Sequence, residues 1–567
     1  MNIKKQGILR LVRIGLAGFF FIGINLLLLD YSGLMARYLG WMAKIQFLPA
    51  VLALNFAVFI AIFILTLVFG RFYCSTICPL GVWQDIVSHL AARRKPQRFS
   101  YKHKHRYLRI LFIGVAIAGV ATTMNLLVTL IAPFGTWSRI VVNLVQPLWG
   151  FVLNGISALE DHFGIYRTFP VDVWLKSFAG LGLAVFSLLL VSVIAWFKGR
   201  LWCNTVCPVG TILGFASKRA TFRPTIDFDK CIRCKKCEKI CKSSCINIRH
   251  HRLDASRCVD CFDCMAECPV DAIYFFPPKD NTVKKTEEKH HHHHHHHHHG
   301  DSTGSTSETP KHYRTVADEL AEEQEAKAAA EQQEKAAADT PTAGTISPNA
   351  EESVDTTRRM IIGALALTLP MEALAQKAES GLAPIQIRQQ LRRNLPLVPA
   401  GSISVDNFIT RCTACGLCIS KCPENVLRPS TSMVSLLQPT MSFERGWCRP
   451  DCTICSEVCP TGAITRITPE QKTSIRIGHA VWMKDFCLPF REGTDCGNCA
   501  RHCPTAAIKM VRVCDLELSD KGSGNPMRRV PLIDENRCIG CGACEHYCPS
   551  EPMAAIYIEG HPRQNEH

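Results

Sequence analysis

The placement of cysteine constrains this chain more than any other feature. Of its 567 residues, 30 are Cys, and 24 of these fall into six compact groups of four. Disulfide scaffolds are short secreted chains with a still higher Cys content, so disulfide bonds are a poor explanation of the pattern. Groups of four thiolates typically bind metal ions or iron–sulfur clusters, and such ligands must be reduced.

The first two groups have the C-x2-C-x2-C-x3-C spacing of bacterial two-cluster ferredoxins, in which the fourth Cys of each group binds the other cluster. Zinc is the weaker alternative, because zinc sites use pairs of C-x2-C. Lys242 stands where proline usually follows, and Cys245 is an alternative to Cys241 as the remote ligand. The spacing predicts one [4Fe–4S] cluster on Cys231, Cys234, Cys237 and Cys268, and another on Cys258, Cys261, Cys264 and Cys241.

Four further groups follow near the C-terminus, and each ends in Cys-Pro. Their sixteen thiolates predict four more [4Fe–4S] clusters, or six in the chain. The two inner groups are irregular, because the gap between their first two Cys is longer than two residues. We expect a nested pairing, in which the first group exchanges its fourth ligand with the last group and the two irregular inner groups exchange theirs. Cys514 is left over, and we expect it to be structural. The predicted ligands are Cys412, Cys415, Cys418, Cys422, Cys448, Cys452, Cys455, Cys459, Cys487, Cys496, Cys499, Cys503, Cys538, Cys541, Cys544 and Cys548.

The N-terminal 200 residues contain long apolar stretches. A membrane span needs about 20 mostly apolar residues, and four stretches qualify: 14–29 with a partly apolar extension at 8–12, 47–70, 107–133 and 178–197. Segment 140–159 is apolar but is interrupted by Asn143, Gln146, Pro147 and Asn154, which favours an interfacial or re-entrant segment. The sequence therefore predicts a four-span α-helical membrane domain.

Lys and Arg are concentrated before the first span, between 71 and 106, and after the fourth span. The positive-inside rule then predicts a bacterial inner-membrane protein with a cytoplasmic N-terminus and with 198–355 in the cytoplasm. This distribution also explains much of the net charge of +15. No homeodomain, zinc-finger or RNP pattern is present, so we expect no nucleic-acid partner.

Spans two and four end in the same motif. GRFYCSTICPLG carries Cys74 and Cys78, and GRLWCNTVCPVG carries Cys203 and Cys207. This internal repeat indicates two similar hairpins, whose four thiols could converge at the cytoplasmic surface. Two buried Cys pairs that merely end helices are the simpler alternative. The repeated context favours redox-active or cluster-facing thiols.

A linker separates the two cluster regions. Residues 281–355 are of low complexity and include ten consecutive His at 290–299, either a native repeat or an engineered tag. Segment 356–376 begins with Arg358 and Arg359, followed by a short apolar run, and has the form of a twin-arginine export signal. A short buried helix is the alternative. Export would place 377–567 in the periplasm, with cleavage after Ala375 or with the leader retained as a tether.

The chain contains no CxxCH haem motif, no GxGxxG fingerprint, no Walker loop and no convincing hydrolytic triad. Hydride transfer, phosphoryl transfer and hydrolysis therefore have no support. Many one-electron centres without a substrate-pocket signature indicate electron transfer. Asn25, Asn55, Asn125 and Gln146 are polar residues of the membrane region that could contact a quinone, although helix packing is the commoner role of such residues.

The paired CxxxCP motifs and the two-cluster ferredoxin of 1–280 resemble the NapH-type membrane ferredoxin proteins of periplasmic nitrate reductase systems. The leader and four cluster groups of 356–567 resemble their NapG-type partner, so the chain resembles a fusion. The NapH-like half is also similar to nitrous-oxide reductase regulators and to oxidase-assembly proteins with CxxxCP motifs. The resemblance implies quinol oxidation, with electrons passed to a periplasmic reductase or cytochrome.

These expectations define five regions: a four-span membrane domain (1–220), an α+β two-cluster ferredoxin domain (221–280), the linker (281–355), the leader or anchor (356–376) and an α+β four-cluster ferredoxin domain (377–567). The favoured function is a quinol dehydrogenase component or electron carrier. The alternatives are a redox assembly or maturation factor that acts through the CxxxCP thiols, and a cluster-based redox sensor.

Overall fold

The computed structural model describes residues 3–94, 99–102, 106–121, 126–164, 167–174, 176–227, 229–249, 252–276, 393–432, 434–516 and 527–564. The linker with its His tract, the leader with Ala375, and Asn125 lie outside the described residues, so their predicted roles stay predictions. The described residues all belong to one unit, formed by 1–279 and 371–567. Contacts between the N-terminal and C-terminal halves can therefore be compared directly.

Helices form the N-terminal half. They are α1 (Ile3–Leu29), α2 (Leu34–Lys44), α3 (Phe47–Leu52), α4 (Phe56–Phe69), α5 (Phe72–Thr76), α6 (Pro79–Arg94), α7 (Arg106–Ala121), α8 (Leu126–Ile131), α9 (Pro133–Ile140), α10 (Gln146–His162), α11 (Phe178–Lys198), α12 (Leu201–Thr205) and α13 (Pro208–Ser217), and a π-helical turn (Val141–Val145) joins α9 to α10.

Three helical segments among the described residues are long and apolar enough to cross a bilayer: Gly7–Leu29, Pro133–His162 and Phe178–Lys198. The first and third correspond to predicted spans one and four. Predicted span two is divided into α3 and α4, because the Asn55 side chain accepts the Val58 N–H (3.3 Å) and starts a new helix. Predicted span three includes 122–125, which lie outside the described residues.

The segment predicted to be interfacial belongs to the helical run Pro133–His162. Its length and composition would allow a crossing. Tyr31, just after α1, donates a hydrogen bond to the Gln146 carbonyl (2.8 Å), and Asn154 exchanges hydrogen bonds with Val171. The interfacial placement of this segment stays a prediction.

The two-cluster module contains β1 (Arg223–Ile226), α14 (Lys236–Ile240), β2 (Ile246–Asn247), β3 (Arg252–Leu253), α15 (Asp263–Ala266) and β4 (Ile273–Phe276). Antiparallel pairing of β1 with β4 and of β2 with β3 brings its two Cys groups together. The module has its own apolar core, which includes the predicted cluster ligands Cys237, Cys241 and Cys264.

The C-terminal module contains α16 (Val405–Arg411), α17 (Leu417–Lys421), β5 (Leu427–Pro429), β6 (Pro439–Met441), α18 (Ile454–Val458), α19 (Pro469–Ser474), β7 (Gly478–Trp482), α20 (Leu488–Arg491), α21 (Asn498–Arg501), β8 (Ile508–Arg512), β9 (Arg529–Ile533), α22 (Ala543–His546) and β10 (Ile556–Gly560). Its antiparallel pairs are β5–β6, β8–β9 and β7–β10. Its apolar core is continuous with that of the membrane helices.

Candidate iron–sulfur sites

Three cavities among the described residues are each lined by four predicted cluster ligands. In each cavity, three Cys come from one group and the fourth is the last Cys of another group. The sets are Cys231, Cys234, Cys237 and Cys268; Cys422, Cys448, Cys452 and Cys455; and Cys487, Cys496, Cys499 and Cys548. This is the three-plus-one arrangement that exchanged fourth ligands require.

The other three sets are identified by thiols that are close enough for their charges to raise one another's pKa. Burial raises the pKa of Cys418, and the nearby thiolates of Cys415, Cys412 and Cys459 raise it further. Burial likewise raises the pKa of Cys541 to about 12, and the thiolates of Cys538 and Cys503 contribute in the same direction. The Cys264 pKa is raised in the same way beside Cys261, Cys258 and Cys241. Thiols with such high pKa values ionise when a metal binds them, because its charge stabilises the thiolate.

The nested pairing of the C-terminal groups is wrong. Cys459 of the second group lies with the first group, and Cys422 of the first group lies with the second. In the same way Cys548 lies with the third group and Cys503 with the fourth. The last Cys of each C-terminal group therefore lies with the group next to it in sequence, which favours exchange of ligands between consecutive groups.

Exchange between consecutive groups can be tested with single substitutions. We expect Cys459→Ser to remove or alter the same EPR signal as Cys412→Ser, because both thiolates bind one cluster. Cys422→Ser should instead match Cys448→Ser. Cys514→Ser is the control and should leave all signals intact, because Cys514 is exposed and lies outside every set. Matching of Cys459→Ser with Cys448→Ser would contradict this assignment.

No three His, Cys, Asp or Glu side chains of the described residues are gathered as closely as a single metal ion requires. Each of the six candidate sets consists of sulfur alone and combines three Cys of one group with one Cys of another, which is the ligand pattern of two-cluster ferredoxins.

Cys245 lies next to the second cluster set of the two-cluster module. Its Sγ is 3.4 Å from the Cys241 Sγ, and it is almost fully buried. The hydrogen bond between the two thiols lowers the pKa of Cys241 to about 7. Cys245 also forms a hydrogen bond with Cys258, so both thiols adjoin this cluster set, and Cys241 as the remote ligand stays a prediction.

The two-cluster module is attached to the membrane helices through the Gly-Arg pair at the start of each CxxxCP motif. A Cβ on Gly70 would lie 2.5 Å from the Asp260 carboxylate, and one on Gly199 would lie 2.4 Å from the Lys242 carbonyl. Both glycines also have positive φ. Burial raises the pKa of Asp260 to about 7. Each hairpin thus approaches one cluster-binding loop too closely for a side chain.

Asp85 connects three elements at this interface. Its carboxylate contacts Arg13 of α1 (2.8 Å), Arg200 of the second CxxxCP motif (2.7 Å) and Lys242 of the two-cluster module (3.7 Å). Burial alone would raise the pKa of Asp85, but Arg200, Lys242 and Arg13 together hold it well below its usual range. Lys242 also pairs with Asp263 (2.8 Å). The residue that replaces the usual proline therefore anchors the module.

The four CxxxCP thiols are brought together, as the repeat predicts. Cys74, Cys78, Cys203 and Cys207 are all buried and unpaired by disulfides. The two motifs cross at this point. The Arg71 guanidinium donates to the Cys203 carbonyl (3.1 Å), and the Arg200 guanidinium donates to the Cys74 carbonyl (2.8 Å).

The last glycine of each motif makes this crossing possible. A Cβ on Gly81 would lie 2.2 Å from the Cys74 carbonyl and 2.7 Å from the Arg200 guanidinium. A Cβ on Gly210 would likewise lie 2.1 Å from the Cys203 carbonyl and 2.7 Å from the Arg71 guanidinium. The repeated Cys-Pro-x-Gly therefore reserves room for the arginine of the other hairpin.

The C-terminal module contacts the opposite end of α1. Lys421 forms an ion pair with Asp30 (3.0 Å), whereas Arg10 near the start of α1 pairs with Asp263 of the two-cluster module (3.1 Å). Residues 10 and 30 are 20 positions apart, about 30 Å along a helix. That length is close to the thickness of a bilayer core, so the contacts of the two cluster modules with α1 are about one bilayer core apart along the helix.

The loop of the first C-terminal group is inserted against α9. The Ser138 hydroxyl donates to the Cys415 carbonyl (2.6 Å), and a Cβ on Gly135 would lie 3.0 Å from the Thr413 carbonyl. Arg139 is buried beside this loop, with Cys415 and Cys412 in range of its charge. One of its terminal nitrogens, Nη1, has no hydrogen-bond partner in the part of the chain that the structure describes. The sequence patterns did not single out Arg139 or Ser138.

Comparisons with known proteins agree with this arrangement. The family described as "4Fe-4S binding domain" matches residues 51–97 and 180–225, which contain the two CxxxCP hairpins, and the family described as "4Fe-4S dicluster domain" matches 493–551. No solved structure matches.

Among curated proteins, the "Ferredoxin-type protein NapG" of Escherichia coli is 32% identical over 191 residues, which is 31% of this chain and 79% of that protein. The "Methylamine utilization ferredoxin-type protein MauM" of Methylorubrum extorquens is 28% identical over 27% of this chain and 67% of that protein. The "Putative electron transport protein YccM" of Escherichia coli is 23% identical over 40% of this chain and 57% of that protein. The chain is an iron–sulfur electron carrier, and it belongs to the NapG family of ferredoxin-type proteins.

Proposed function

We propose that the chain oxidises quinol in the bacterial inner membrane and passes the electrons to a periplasmic reductase or cytochrome. The observation that carries this proposal is the attachment of the C-terminal module to the Asp30 end of α1, about 30 Å along the helix from the Arg10–Asp263 contact with the two-cluster module. With the two-cluster module in the cytoplasm, as the Lys and Arg distribution predicts, the four-cluster module lies on the periplasmic side.

The cluster set of Cys412, Cys415, Cys418 and Cys459 is the proposed entry point for these electrons. It is the C-terminal set in contact with α9, through Ser138 and Cys415. Oxidation of one quinol releases two protons and two electrons, and the electrons leave one at a time because each cubane carries one. The remaining three sets of the module then lead towards a soluble acceptor.

Gln146 is the proposed quinol contact. Its Oε1 accepts a hydrogen bond from Lys176 (3.3 Å), whereas its buried Nε2 has no partner among the described residues. A buried donor without a partner is unfavourable unless a ligand supplies an acceptor. Asn25 and Asn55 are satisfied locally, since Asn25 donates to the Phe21 carbonyl and Asn55 caps α4. Among the described polar candidates, Gln146 is therefore the one with a buried donor left for a ligand.

A reduced menaquinol analogue should bleach the visible cluster absorbance of the anaerobic, purified chain. Gln146→Glu should slow this bleaching at least tenfold, because it keeps the acceptor for Lys176 but removes the donor. Asn25→Leu is the control and should bleach at the wild-type rate. Reduction by dithionite should be unchanged in both variants.

Absence of bleaching in the wild-type chain would reject quinol oxidation. In that case the double variant Cys74→Ser and Cys203→Ser would test the assembly-factor alternative. If this variant still transfers electrons but no longer supports maturation of a partner enzyme, the assembly-factor alternative would replace this proposal. A chain that is reduced by no quinol and matures no partner would leave the sensor alternative.

A further inference from the structure

Cys234 differs from the other predicted cluster ligands in its exposure. All 24 predicted ligands lie in the described residues, and among them Cys234 alone is exposed, whereas the others are buried or partly buried. The loop 232–236 around it is exposed at every position. We call 232–236 the Cys234 loop. It brings the ligand set of Cys231, Cys234, Cys237 and Cys268 to the surface of the two-cluster module.

The Cys234 loop and its approach are strongly basic. Residues 230–236 carry four cations and no acidic side chain: Lys230, Arg233, Lys235 and Lys236. Lys235 and Lys236 line the cavity of the ligand set together with Ile232, whose side chain is 62% exposed. Lys230 pairs with Asp227 (3.5 Å), but neither Lys235 nor Lys236 forms an ion pair with a described residue. Their charges therefore face solvent directly above the ligand set.

The backbone of the loop would favour glycine at two of these cationic positions. Arg233 and Lys235 have φ of 55° and 59°, in the left-handed region that side-chain-bearing residues rarely adopt. The last cluster group of the chain has Gly540 and Gly542 at the matching positions, also with positive φ. Local conformation thus does not explain why long cationic side chains stand in the Cys234 loop.

Packing inside the module does not explain them either. The second group of the same module has Asp260 and Phe262 at the matching positions, and these two side chains are buried within the protein at 2% and 3% exposure. Arg233 and Lys235 are exposed instead. Cationic side chains that are kept at exposed, left-handed positions indicate a contact with something outside the module.

We propose that the Cys234 loop is the docking surface for an acidic one-electron carrier protein. The carrier delivers electrons to the cluster held by Cys231, Cys234, Cys237 and Cys268. In each transfer the carrier loses one electron and the cubane gains it, and no proton moves. With the two-cluster module in the cytoplasm, as the Lys and Arg distribution predicts, the carrier is a cytoplasmic protein.

The size and chemistry of the loop fit such a partner. Encounters between redox proteins are brief and use small interfaces, so a loop of a few residues is sufficient. Opposite charges on the two proteins increase the rate of association more than the final affinity. Ile232 supplies an exposed apolar contact among the lysines, in the way that apolar centres lie within polar rims at protein interfaces.

The second ligand set of the module lies on its membrane side. Asp260 meets Gly70 there, and Asp263 pairs with Arg10 of α1 (3.1 Å). Electrons that enter at the Cys234 loop would therefore move towards the membrane helices. This entry point gives the two-cluster module a role that quinol oxidation does not supply, and it does not rest on the proposed function.

Reduction by an acidic plant-type [2Fe–2S] ferredoxin, followed by stopped flow on the anaerobic full-length chain, tests the docking surface. Lys235→Glu with Lys236→Glu should lower the second-order rate at least tenfold at low ionic strength, because repulsion replaces attraction. Lys235→Arg with Lys236→Arg keeps the charge and should keep the rate. Lys509→Glu with Arg512→Glu is the matched control, since it changes the net charge equally at exposed positions of the C-terminal module.

Binding of the oxidised ferredoxin gives a readout that does not depend on electron transfer. The Kd of the wild-type chain should weaken at least tenfold between about 20 and about 300 mM ionic strength, because salt screens the exposed charges. The charge-reversal variant should bind weakly at both ionic strengths. Cytochrome c, a basic protein of similar size, is the opposite-charge probe and should not compete with the ferredoxin.

A wild-type reduction rate in the charge-reversal variant, or competition by cytochrome c, would overturn the proposal. So would a chain that binds phosphatidylglycerol vesicles through these lysines but binds no ferredoxin. If the variant does not keep its iron content, a wild-type rate that is independent of ionic strength overturns the proposal equally. No quinol is used, so a chain that accepts electrons from the ferredoxin but not from quinol would reject only the proposed function.

Discussion

Asp85→Ala is expected to lower the apparent Tm of cluster loss by roughly 6–20 °C, which corresponds to about 3–5 kcal/mol. Its carboxylate is the shared partner of Arg13, Arg200 and Lys242, and all four side chains are nearly or fully buried. Removing one partner of a buried ion network leaves the others without counter-charge, which costs far more than the loss of a surface ion pair.

The matched control is Asp172→Ala, which removes a carboxylate 3.5 Å from Arg445 at the other interface. The Asp172 side chain is 62% exposed, so we expect a change within about 0.5 kcal/mol. Thermal loss of the visible cluster absorbance in detergent measures both variants. Limited proteolysis of the 220–276 region should also accelerate in Asp85→Ala alone. Equal effects of the two substitutions would show that Asp85 does not hold the module in place.

The individual cluster groups could be predicted from the sequence because their ligands are local. Three of the four sulfurs of each set lie within a short run, as in Cys538, Cys541 and Cys544, so spacing alone identifies them. The fourth ligand comes from a different group, and its origin depends on how the intervening chain folds. The irregular first gaps of two groups were a poor guide to this, because the length of such a gap reflects a local loop and not a contact between the groups.

The contacts between the N-terminal helices and the two cluster modules could not be predicted, because they depend on side chains that have no recognisable spacing in the sequence. The repeat contains Arg71 and Arg200 at matching positions, but only the structure places each arginine across the other hairpin. Lys242 was visible as a departure from a pattern, and its function became apparent only beside Asp85 and Asp263. The predicted spans were divided or reassigned where a local cap such as Asn55 outweighed hydropathy.

The insertion of the Cys412 loop against α9 leads to the second prediction with a large effect. Arg139→Gln should lower the midpoint potential of the cluster held by Cys412, Cys415, Cys418 and Cys459. Arg139 is buried, donates to the Thr129 carbonyl (2.6 Å) and has no carboxylate partner among the described residues. Its positive charge therefore favours the more negative, reduced state of the cluster.

The size of this shift follows from Coulomb's law. At a separation of roughly 8–10 Å and an effective dielectric constant of about 20, one charge contributes about 1.7–2.1 kcal/mol. For a one-electron couple that free energy corresponds to about 70–90 mV. An EPR-monitored redox titration should show one cluster signal displaced by this amount and the others unmoved.

Two further variants separate charge from packing. Arg139→Lys keeps the charge and should restore most of the potential. Arg449→Gln removes an arginine near Cys452, but Arg449 is 49% exposed and already paired with Asp451. Solvent and Asp451 screen its charge, so we expect a shift below about 20 mV. An Arg139→Gln titration that matches the wild type, or one that moves every cluster equally, would show that this arginine does not set the potential at which electrons enter the C-terminal module.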